Sequence, residues 1–220
     1  DDIHQLLTLH ERISGKGSGR RYGLEVLNKS AIVLLVACWE AFVEDLASNA
    51  FEVLIVHSKD SSDIPSKIKS NVSEKIKASK NDLAMWRLAE KGWRTVLEKN
   101  KKNILKEYIE GNSFNTPKEK LINNLFENII GLRKLSNCWQ WRGTSQKDIT
   151  EKLNKLITLR GEIAHRVSAK TSIKKKEVVS FLDFIYRLAT KTHNCVNDFL
   201  TKYNNNKKVW LTAIYKKSFI

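Results

Sequence analysis

The stretch that decides the fold is LEVLNKSAIVLLVACWEAFVEDLASNAFEVLIVH, residues 24–57. Its apolar residues recur at helical spacing around the whole circumference and leave little polar face. The sequence therefore predicts one long helix that is buried at the centre of the protein. The longest apolar run, Ala31–Trp39, is followed by Glu40 and is much shorter than the roughly 20 residues that span a bilayer, so we expect no membrane-spanning segment. A membrane is not among the partners that we predict.

The composition fits a helical protein with an anionic partner. Two prolines and nine glycines in 220 residues are few, which favours long helices over a turn-rich β fold. Lysine and arginine outnumber the acidic residues by 39 to 24, and the net charge is +15. This excess of positive charge favours nucleic acid first, an acidic membrane surface second and an acidic protein third. A merely lysine-rich surface is the plain alternative.

The cysteines indicate no metal or cofactor site. Cys38, Cys138 and Cys195 are isolated in the sequence, and no Cys-x-x-Cys or Cys/His ligand spacing occurs. Neither a zinc site nor a disulfide framework is predicted, and a reducing cytoplasm is the expected compartment. The first residues carry no basic region and no apolar run, so we expect no signal peptide.

The rest of the chain also reads as helix, so we predict an all-α fold with a single helical-bundle domain over residues 1–220. A short N-terminal helix and a flexible connector occupy residues 1–20, and a tail, either a strand or a docking helix, occupies 207–220. Further helices are predicted over 64–79, 83–109 and 116–130, from 145 through the 160s, and from 171 or 172 to about 203. Thr116, Pro117 and Glu119 form a helix start, and Gly131 forms a helix end.

One arginine breaks the apolar pattern of the helix that begins near Ser145. The side that faces the core is Ile149, Leu153, Leu156, Arg160, Ile163 and Val167, in steps of four and three. A guanidinium on this side is expensive to bury unless a carboxylate or a phosphate meets it. Arg160 therefore marks the candidate site, together with His165 five positions later.

Arg160 needs an opposite charge, and Glu40 in the most apolar helix is the best candidate. Glu44 and Asp45 lie one turn further and are alternatives. The plain structural interpretation is a buried ion pair between Glu40 and Arg160, with His165 capping the end of the helix.

The spacing of Arg160 and His165 bears on the number of copies in the site. Five residues advance a helix by about 500°, which leaves the two side chains roughly 140° apart. They converge on one ligand only if the helix loosens near its end or if two copies face each other. Ile157, Gly161, Ala164 and Ser168 line one side, where another backbone can approach closely, so we hypothesise a two-fold dimer.

Three segments carry a resemblance to a known family. Arg160 to His165 matches an Arg-x4–6-His signature, and Leu159–His165, LRGEIAH, is similar to a Leu-Arg-Asn-Glu-Ile-Ala-His segment. Leu35–Leu46, LVACWEAFVEDL, resembles the Trp-Glu helix that precedes it in chain order, and Phe114–Pro117 with Leu125 and Phe126 resembles the middle section. Together the segments span about residues 24–200. The chain thus resembles the HEPN superfamily, in particular the RiboL-PSP-HEPN-like and related prokaryotic families.

The resemblance implies an all-α fold that dimerises through the motif helices. In active members it also implies an endoribonuclease that needs no metal ion. His165 would be the general acid or base at the ribose 2′-hydroxyl or at the leaving oxygen, and Arg160 would hold the scissile phosphate. Many relatives act as toxins or in antiviral defence, beside an antitoxin or within a larger complex, so such a partner is also implied.

The resemblance is incomplete at one position, because active members often place Asn, Asp or His directly after the arginine and this chain has Gly161. A non-catalytic HEPN scaffold that binds RNA or a protein partner is therefore the second interpretation, and an unrelated basic bundle is the third. Candidates for RNA contact are Arg166, Arg142, Lys174 and Lys175, with Glu40 and Asp45 in supporting roles. Trp139 and Trp141 can stack on bases or belong to the core, and the core is favoured.

Overall fold

The computed structural model describes residues 2–14, 23–79, 81–110, 116–166 and 172–203. The α-helices within these ranges are α1 (Asp2–Ser14), α2 (Glu25–His57), α3 (Ser66–Lys77), α4 (Gly92–Glu110), α5 (Glu119–Ile130), α6 (Gln146–Arg166) and α7 (Lys175–Tyr203). Three short 3-10 helices are η1 (Ser61–Asp63), η2 (Asp82–Leu88) and η3 (Leu135–Cys138). No strand forms in the described ranges, so the predicted all-α class is confirmed. The part of the predicted connector in 1–20 that follows Ser14, and the tail at 207–220, lie outside the described residues.

Helix α2 is the centre of the bundle, as its sequence predicts. It packs against α1, α4, α5, α6 and α7, and its apolar side chains are buried on several sides. Trp39 is 1% exposed and meets Trp139 edge to face, with 6.4 Å between the ring centroids. By length and composition alone α2 is also sufficient to cross a membrane, which the apolar run Ala31–Trp39 did not suggest. Its buried residues here contact the surrounding helices.

Two predicted helix starts were wrong by a few residues. Helix α5 begins at Glu119 rather than at Thr116, and the residue before it, Lys118, makes no side-chain cap. The carboxylate of Glu119 instead accepts hydrogen bonds from Ser136 Oγ at 2.7 Å and from Gln146 Nε2 at 3.1 Å. Helix α7 begins at Lys175, after the predicted position at Thr171 or Ser172. In α5, the side chain of Glu119, which the local pattern assigned to a capping box, therefore forms tertiary hydrogen bonds instead.

The helix predicted over 83–109 is divided into η2 and α4. The break lies at Glu90, whose φ is 51°, a left-handed conformation that non-glycine residues rarely adopt. A Cβ on Gly92 would lie 2.2 Å from the carbonyl oxygen of Arg87, so η2 folds back closely onto the start of α4. As a result Trp86 is 75% exposed, whereas Trp93 is 7% exposed and belongs to the core.

Helix α6 begins as its sequence predicts. The backbone N–H of Ser145 donates to Asp148 Oδ2 at 3.0 Å, and the N–H of Asp148 donates to Ser145 Oγ at 3.2 Å. This reciprocal cap fixes the register of the helix. Ile149, Leu153 and Leu156 are therefore fully buried, and Arg160 continues the same side. Gly131 ends α5 in a left-handed conformation with φ 78°, as predicted.

Candidate functional site

Arg160 and Glu40 face each other across the contact between α6 and α2. The distance from Arg160 Nη2 to Glu40 Oε1 is 3.9 Å, and the side chains are 22% and 17% exposed. The predicted pairing of the arginine with Glu40, the only charged residue between Ala31 and Val43, is therefore confirmed. Because both side chains keep some contact with solvent, the pair lies at the edge of the core and not within it.

The electrostatic balance at Glu40 is set mainly by burial. Removal from water raises the pKa of Glu40, the charge of Arg160 lowers it, and the charge of Glu44 raises it further, so that the net direction is upward. Glu40 Oε1 is buried and has no hydrogen-bond partner. The carboxylate thus attracts Arg160 through charge without a hydrogen bond donated to Oε1, and its ionisation is less favourable in the fold than in water.

Substitution of Glu40 by glutamine tests this balance. A group whose pKa is raised by folding stabilises the fold most when it is protonated, below its ordinary value of 4.5. That contribution is lost as the pH rises through the raised pKa. Since glutamine resembles the protonated form, we expect Glu40→Gln and wild type to melt together near pH 4 and the variant to melt higher at pH 7, by a few degrees at most. Thermal unfolding by circular dichroism at both pH values measures the difference.

The matched control for this experiment is Glu98→Gln, which removes an exposed carboxylate on α4. Its melting temperature should follow the wild type at both pH values. A Glu40→Gln variant that melts below wild type at pH 7 would mean that attraction to Arg160 outweighs the burial of the carboxylate.

The acidic residues one turn further along α2 differ in their environment. Glu44 is half-buried, and burial raises its pKa, with a further contribution from the charge of Asp45. Asp45 is exposed. Glu40 and Glu44 thus lie on one side of α2, with Glu40 as the member that meets Arg160, whereas Asp45 lies about 140° around the helix from Glu40. A supporting role for Asp45 stays a prediction.

Helix α6 is unbroken through Arg166, so the motif does not lie on loosened backbone. With 100° per residue and Arg160 as the origin, Ala164 lies at about 40°, Gly161 at about 100° and His165 at about 140°. The two small residues therefore occupy the surface between the arginine and the histidine. Of the two ways in which the pair can share a ligand, the arrangement of two facing copies is the one that an unbroken helix permits.

This surface is open at Gly161 but closed one turn earlier. A Cβ on Gly161 would have no heavy atom within 4 Å, and Ala164 is exposed. Ile157, predicted to share the same side, is 2% exposed and belongs to the core. Ser168 lies outside the described residues. Close approach by another backbone is therefore confined to the last turn of α6, beside the motif.

The other predicted site residues lie in different places. The side chains of His165 and Arg166 lie outside the part of the chain that the structure describes, although their backbone belongs to α6. Arg142 is exposed, but it precedes α6, whose first residue, Gln146, lies about 21 Å along the helix axis from Arg160. Within one copy, the structure does not bring Arg142 to the motif.

The two lysines at the start of α7 are not equivalent. Lys174 is exposed, and its backbone N–H donates to Glu177 Oε2 at 3.0 Å. Lys175 forms an ion pair with Glu11 of α1, which partly neutralises its charge. Lys174 is therefore the better candidate of the two for contact with a phosphate.

The paired tryptophans before α6 belong mainly to the core. Trp139 is 0% exposed, and its indole N–H donates to Thr192 Oγ1 at 3.0 Å. Trp141 is half-buried, and its ring lies 6.2 Å from that of Phe184. A buried Trp139 cannot stack on a base, which agrees with the favoured interpretation.

Two features of the structure were not predicted from the sequence. Cys138 and Cys195, treated above as isolated, lie beside each other, with Cys138 Sγ 3.7 Å from the carbonyl oxygen of Lys191. A cavity whose lining includes Lys75, Arg87 and Lys99 lies between α3, η2 and α4. Both depend on contacts between distant segments, for which the sequence carries no spacing signal. Among the described residues no group of three His, Cys, Asp or Glu side chains is arranged to hold a metal ion.

Comparison with known proteins gives one match. The sequence model of the RiboL-PSP-HEPN family matches residues 1–198, which include α2 and α6 and therefore both halves of the Glu40–Arg160 contact. No curated protein and no solved structure matches the chain significantly.

Proposed function

This chain belongs to the RiboL-PSP-HEPN family, and on that premise we propose that it is an endoribonuclease that cleaves RNA without a metal ion. Membership in a HEPN family supports a function as a ribonuclease or an RNA-binding protein. Beyond this, we propose that cleavage needs no metal ion, that Arg160 and His165 carry it out, and that the protein acts as a dimer. Arg160 and His165 of two copies would form one composite site.

The observation that carries this proposal is the placement of the motif on α6. Arg160 and His165 lie on either side of an open surface formed by Gly161 and Ala164, on a helix that is continuous through both. Two helices that pack along this surface around a two-fold axis bring two arginines and two histidines to one cleft. In this arrangement the Arg160 and His165 residues of both copies reach a shared phosphate while each α6 helix stays straight.

The proposed reaction uses a nucleophile that RNA itself supplies. The ribose 2′-oxygen attacks the adjacent phosphorus as one His165 imidazole accepts its proton, and the bond from phosphorus to the 5′-oxygen breaks. The second His165 donates a proton to that leaving oxygen. The products are a 2′,3′-cyclic phosphate and a 5′-hydroxyl end. Arg160, oriented by the charge of Glu40, would stabilise the negative charge that develops on the phosphate oxygens.

The first test is cleavage of RNA in the presence of EDTA. Purified protein should convert a 5′-labelled single-stranded RNA into fragments that end in 2′,3′-cyclic phosphate, identified by mass and by a mobility change after acid treatment. The matched control is the same oligonucleotide with deoxyribose throughout, which should stay intact because it lacks the 2′-hydroxyl. Intact RNA with wild-type protein would contradict the proposal.

The proposed dimer makes a separate prediction at Gly161. Since a Cβ here has no heavy atom of the described residues within 4 Å, Gly161→Leu should fold normally and even gain helix propensity, by about 1 kcal/mol. It should, however, prevent two α6 helices from packing closely. We expect wild type to sediment as a dimer at micromolar concentration, and the variant to sediment as a monomer with at least tenfold lower cleavage. A fully active monomeric wild type would contradict the composite site.

Gly161 also favours a second candidate function, a non-catalytic scaffold that binds RNA or a protein. Active members of the family often carry a polar residue at this position, and glycine cannot help to orient a phosphate. This candidate predicts RNA binding without fragments in EDTA, and an RNA affinity that His165→Ala leaves unchanged.

The proposal includes a cellular role, as a toxin or as a defence effector in the cytoplasm. The partner in that role would be an antitoxin or a larger complex. The toxin role predicts that induced expression of wild type arrests growth and that expression of His165→Ala does not. Equal growth of the two cultures would remove the toxin interpretation while leaving the nuclease chemistry to the test in vitro.

A further inference from the structure

We infer that the cavity between α3, η2 and α4 is a second contact site for single-stranded RNA, distinct from the motif on α6. The inference rests on the proposed function, because it assigns part of the RNA substrate to this cavity. The cavity has a volume of about 560 Å³, within the range that small ligands and single nucleotides occupy.

The lining of the cavity combines the two properties that a nucleotide needs. Lys75, Arg87 and Lys99 contribute positive charge, and Val72, Ile76 and Val96 contribute an apolar floor. In the described part of the chain none of these three cations forms an ion pair with a carboxylate. Lys75 instead donates to Asn100 Oδ1 at 2.9 Å. Three cations without acidic partners around one concave surface attract a phosphate.

Helix η2 adds an aromatic surface at the rim. A 3-10 helix repeats every three residues, so Ala84 and Arg87, which line the cavity, share one edge, and Leu83 and Trp86 share the next. Trp86 is 75% exposed, an unusual position for an indole in a chain whose Trp39 and Trp139 are buried. Aromatic rings beside cationic grooves stack on bases regardless of sequence. The neighbouring charges favour RNA over a protein partner, because the centres of protein interfaces are depleted in charged residues.

The cavity lies far from the motif along the central helix. Arg94, at the start of α4, donates hydrogen bonds to the carbonyl oxygens of Ile55 and Ser58 at the end of α2. Glu40 precedes Ile55 by 15 residues, which corresponds to about 22 Å of helix. An RNA that reaches both sites must therefore be an extended strand of several nucleotides.

The test measures affinity in the His165→Ala background, so that binding is read without cleavage. Fluorescence anisotropy with a labelled single-stranded RNA of about 12 nucleotides should show at least tenfold weaker binding for Arg87→Glu/Lys99→Glu. The matched control, Lys120→Glu/Lys191→Glu, changes the net charge equally at exposed positions of α5 and α7, and should weaken binding by less than threefold. The melting temperature of every variant confirms that it is folded.

A second variant tests the stacking surface. Trp86→Ala should weaken binding by about 5- to 150-fold, the range for loss of one base–aromatic contact, and Trp86→Phe should recover most of the affinity. Equal losses for the cavity pair and its control, or unchanged affinity in Trp86→Ala, would overturn the inference. Unchanged affinity in Trp86→Ala would instead assign the exposed surface of Leu83 and Trp86 to a protein partner. Failure of wild type to cleave RNA would contradict the proposed function but would not affect these affinities.

A different observation carries a second inference: we propose that Cys138 and Cys195 are a site of reversible oxidation to an intramolecular disulfide. Cys138 Sγ lies 3.7 Å from the carbonyl oxygen of Lys191. In an α-helix this same carbonyl accepts the backbone N–H of Cys195, four residues later, so Cys138 lies directly beside Cys195. The bond between Trp139 and Thr192 holds the two segments in this register.

The chemistry requires a hydroperoxide as the oxidant. The hydrogen bond from Cys138 is the largest influence on Cys195 and lowers the pKa of its thiol, so Cys195 is the nucleophile. Its thiolate attacks one peroxide oxygen, the O–O bond breaks, and a sulfenic acid forms on Cys195. The sulfur of Cys138 then attacks that of Cys195 and expels water. Two thiols lose two electrons and two protons, and the peroxide is reduced to water or an alcohol.

The test is treatment of the intact protein with hydrogen peroxide, followed by alkylation and mass spectrometry. We expect a loss of about 2 Da and one remaining alkylated cysteine, the exposed Cys38, which serves as an internal control. Because the disulfide closes a loop that contains all of α6, the melting temperature should rise by several degrees and return after reduction. Cys138→Ser should abolish both changes, and Cys38→Ser should retain them. Separate oxygen additions, or dimers linked through Cys38, would overturn this inference.

Discussion

Replacement of His165 by alanine should lower the rate of RNA cleavage by about 10²- to 10⁴-fold, the usual contribution of a general acid or base. The expected effect on stability is small, because the backbone of His165 belongs to the last turn of α6, beyond the buried Ile163. Initial rates on a labelled single-stranded RNA, together with thermal unfolding, measure both quantities.

The pH dependence gives an independent measure of the same role. If one imidazole accepts a proton and its symmetry mate donates one, wild-type kcat/KM follows a bell-shaped curve with pH, and the residual rate of His165→Ala does not. His4→Ala, which removes an exposed histidine on α1, is the matched control and should retain the wild-type profile. Unchanged cleavage in His165→Ala would assign the chemistry to another residue.

Replacement of Arg160 by alanine should lower cleavage by about 10²- to 10³-fold, the range for loss of one group that stabilises transition-state charge. Arg160→Lys should recover only part of the rate, because an ammonium group lacks the fork that binds two phosphate oxygens. This substitution also leaves the carboxylate of Glu40 without its ion-pair partner at a site where that group is 17% exposed. Some loss of stability is therefore expected, and it complicates the interpretation of the single variant.

The double variant Glu40→Gln/Arg160→Ala separates the two effects. Removal of the negative charge together with the arginine should restore the melting temperature toward wild type, since no unpaired carboxylate remains. Cleavage should stay low, because the phosphate-binding group is still absent. Recovery of cleavage in the double variant would show that Arg160 acts only as a structural partner of Glu40.

The central part of the fold could be predicted from the sequence because it depends on local pattern. The apolar stretch at 24–57 forms α2 almost to the residue, and the cap at Ser145 and Asp148 sets the start of α6. The hydrophobic pattern did not predict the structure where the chain reverses its direction. The periodicity over 83–109 continues through Glu90, but the structure reverses there, and the glycine that allows it, Gly92, looks unremarkable in sequence.

The candidate site was predictable to the extent that it violates a pattern. A charge on the apolar side of α6 and a charge within the apolar α2 predict their own contact, and Arg160 meets Glu40 as expected. The contact between Cys138 and Cys195 breaks no local sequence pattern, and neither does the cationic cavity. Each brings together side chains that are ordinary in their own segments, so only the tertiary structure reveals them.

If two chains complete the site beside the open turn at Gly161, as we propose, the arrangement has a consequence for dosage. A site that two chains must complete together responds to the square of the protein level when the protein is scarce, so halving expression removes three quarters of the output. Such a protein has little activity at basal abundance, and its activity rises steeply once transcription increases. A cell could then hold it in reserve simply by keeping its copies apart.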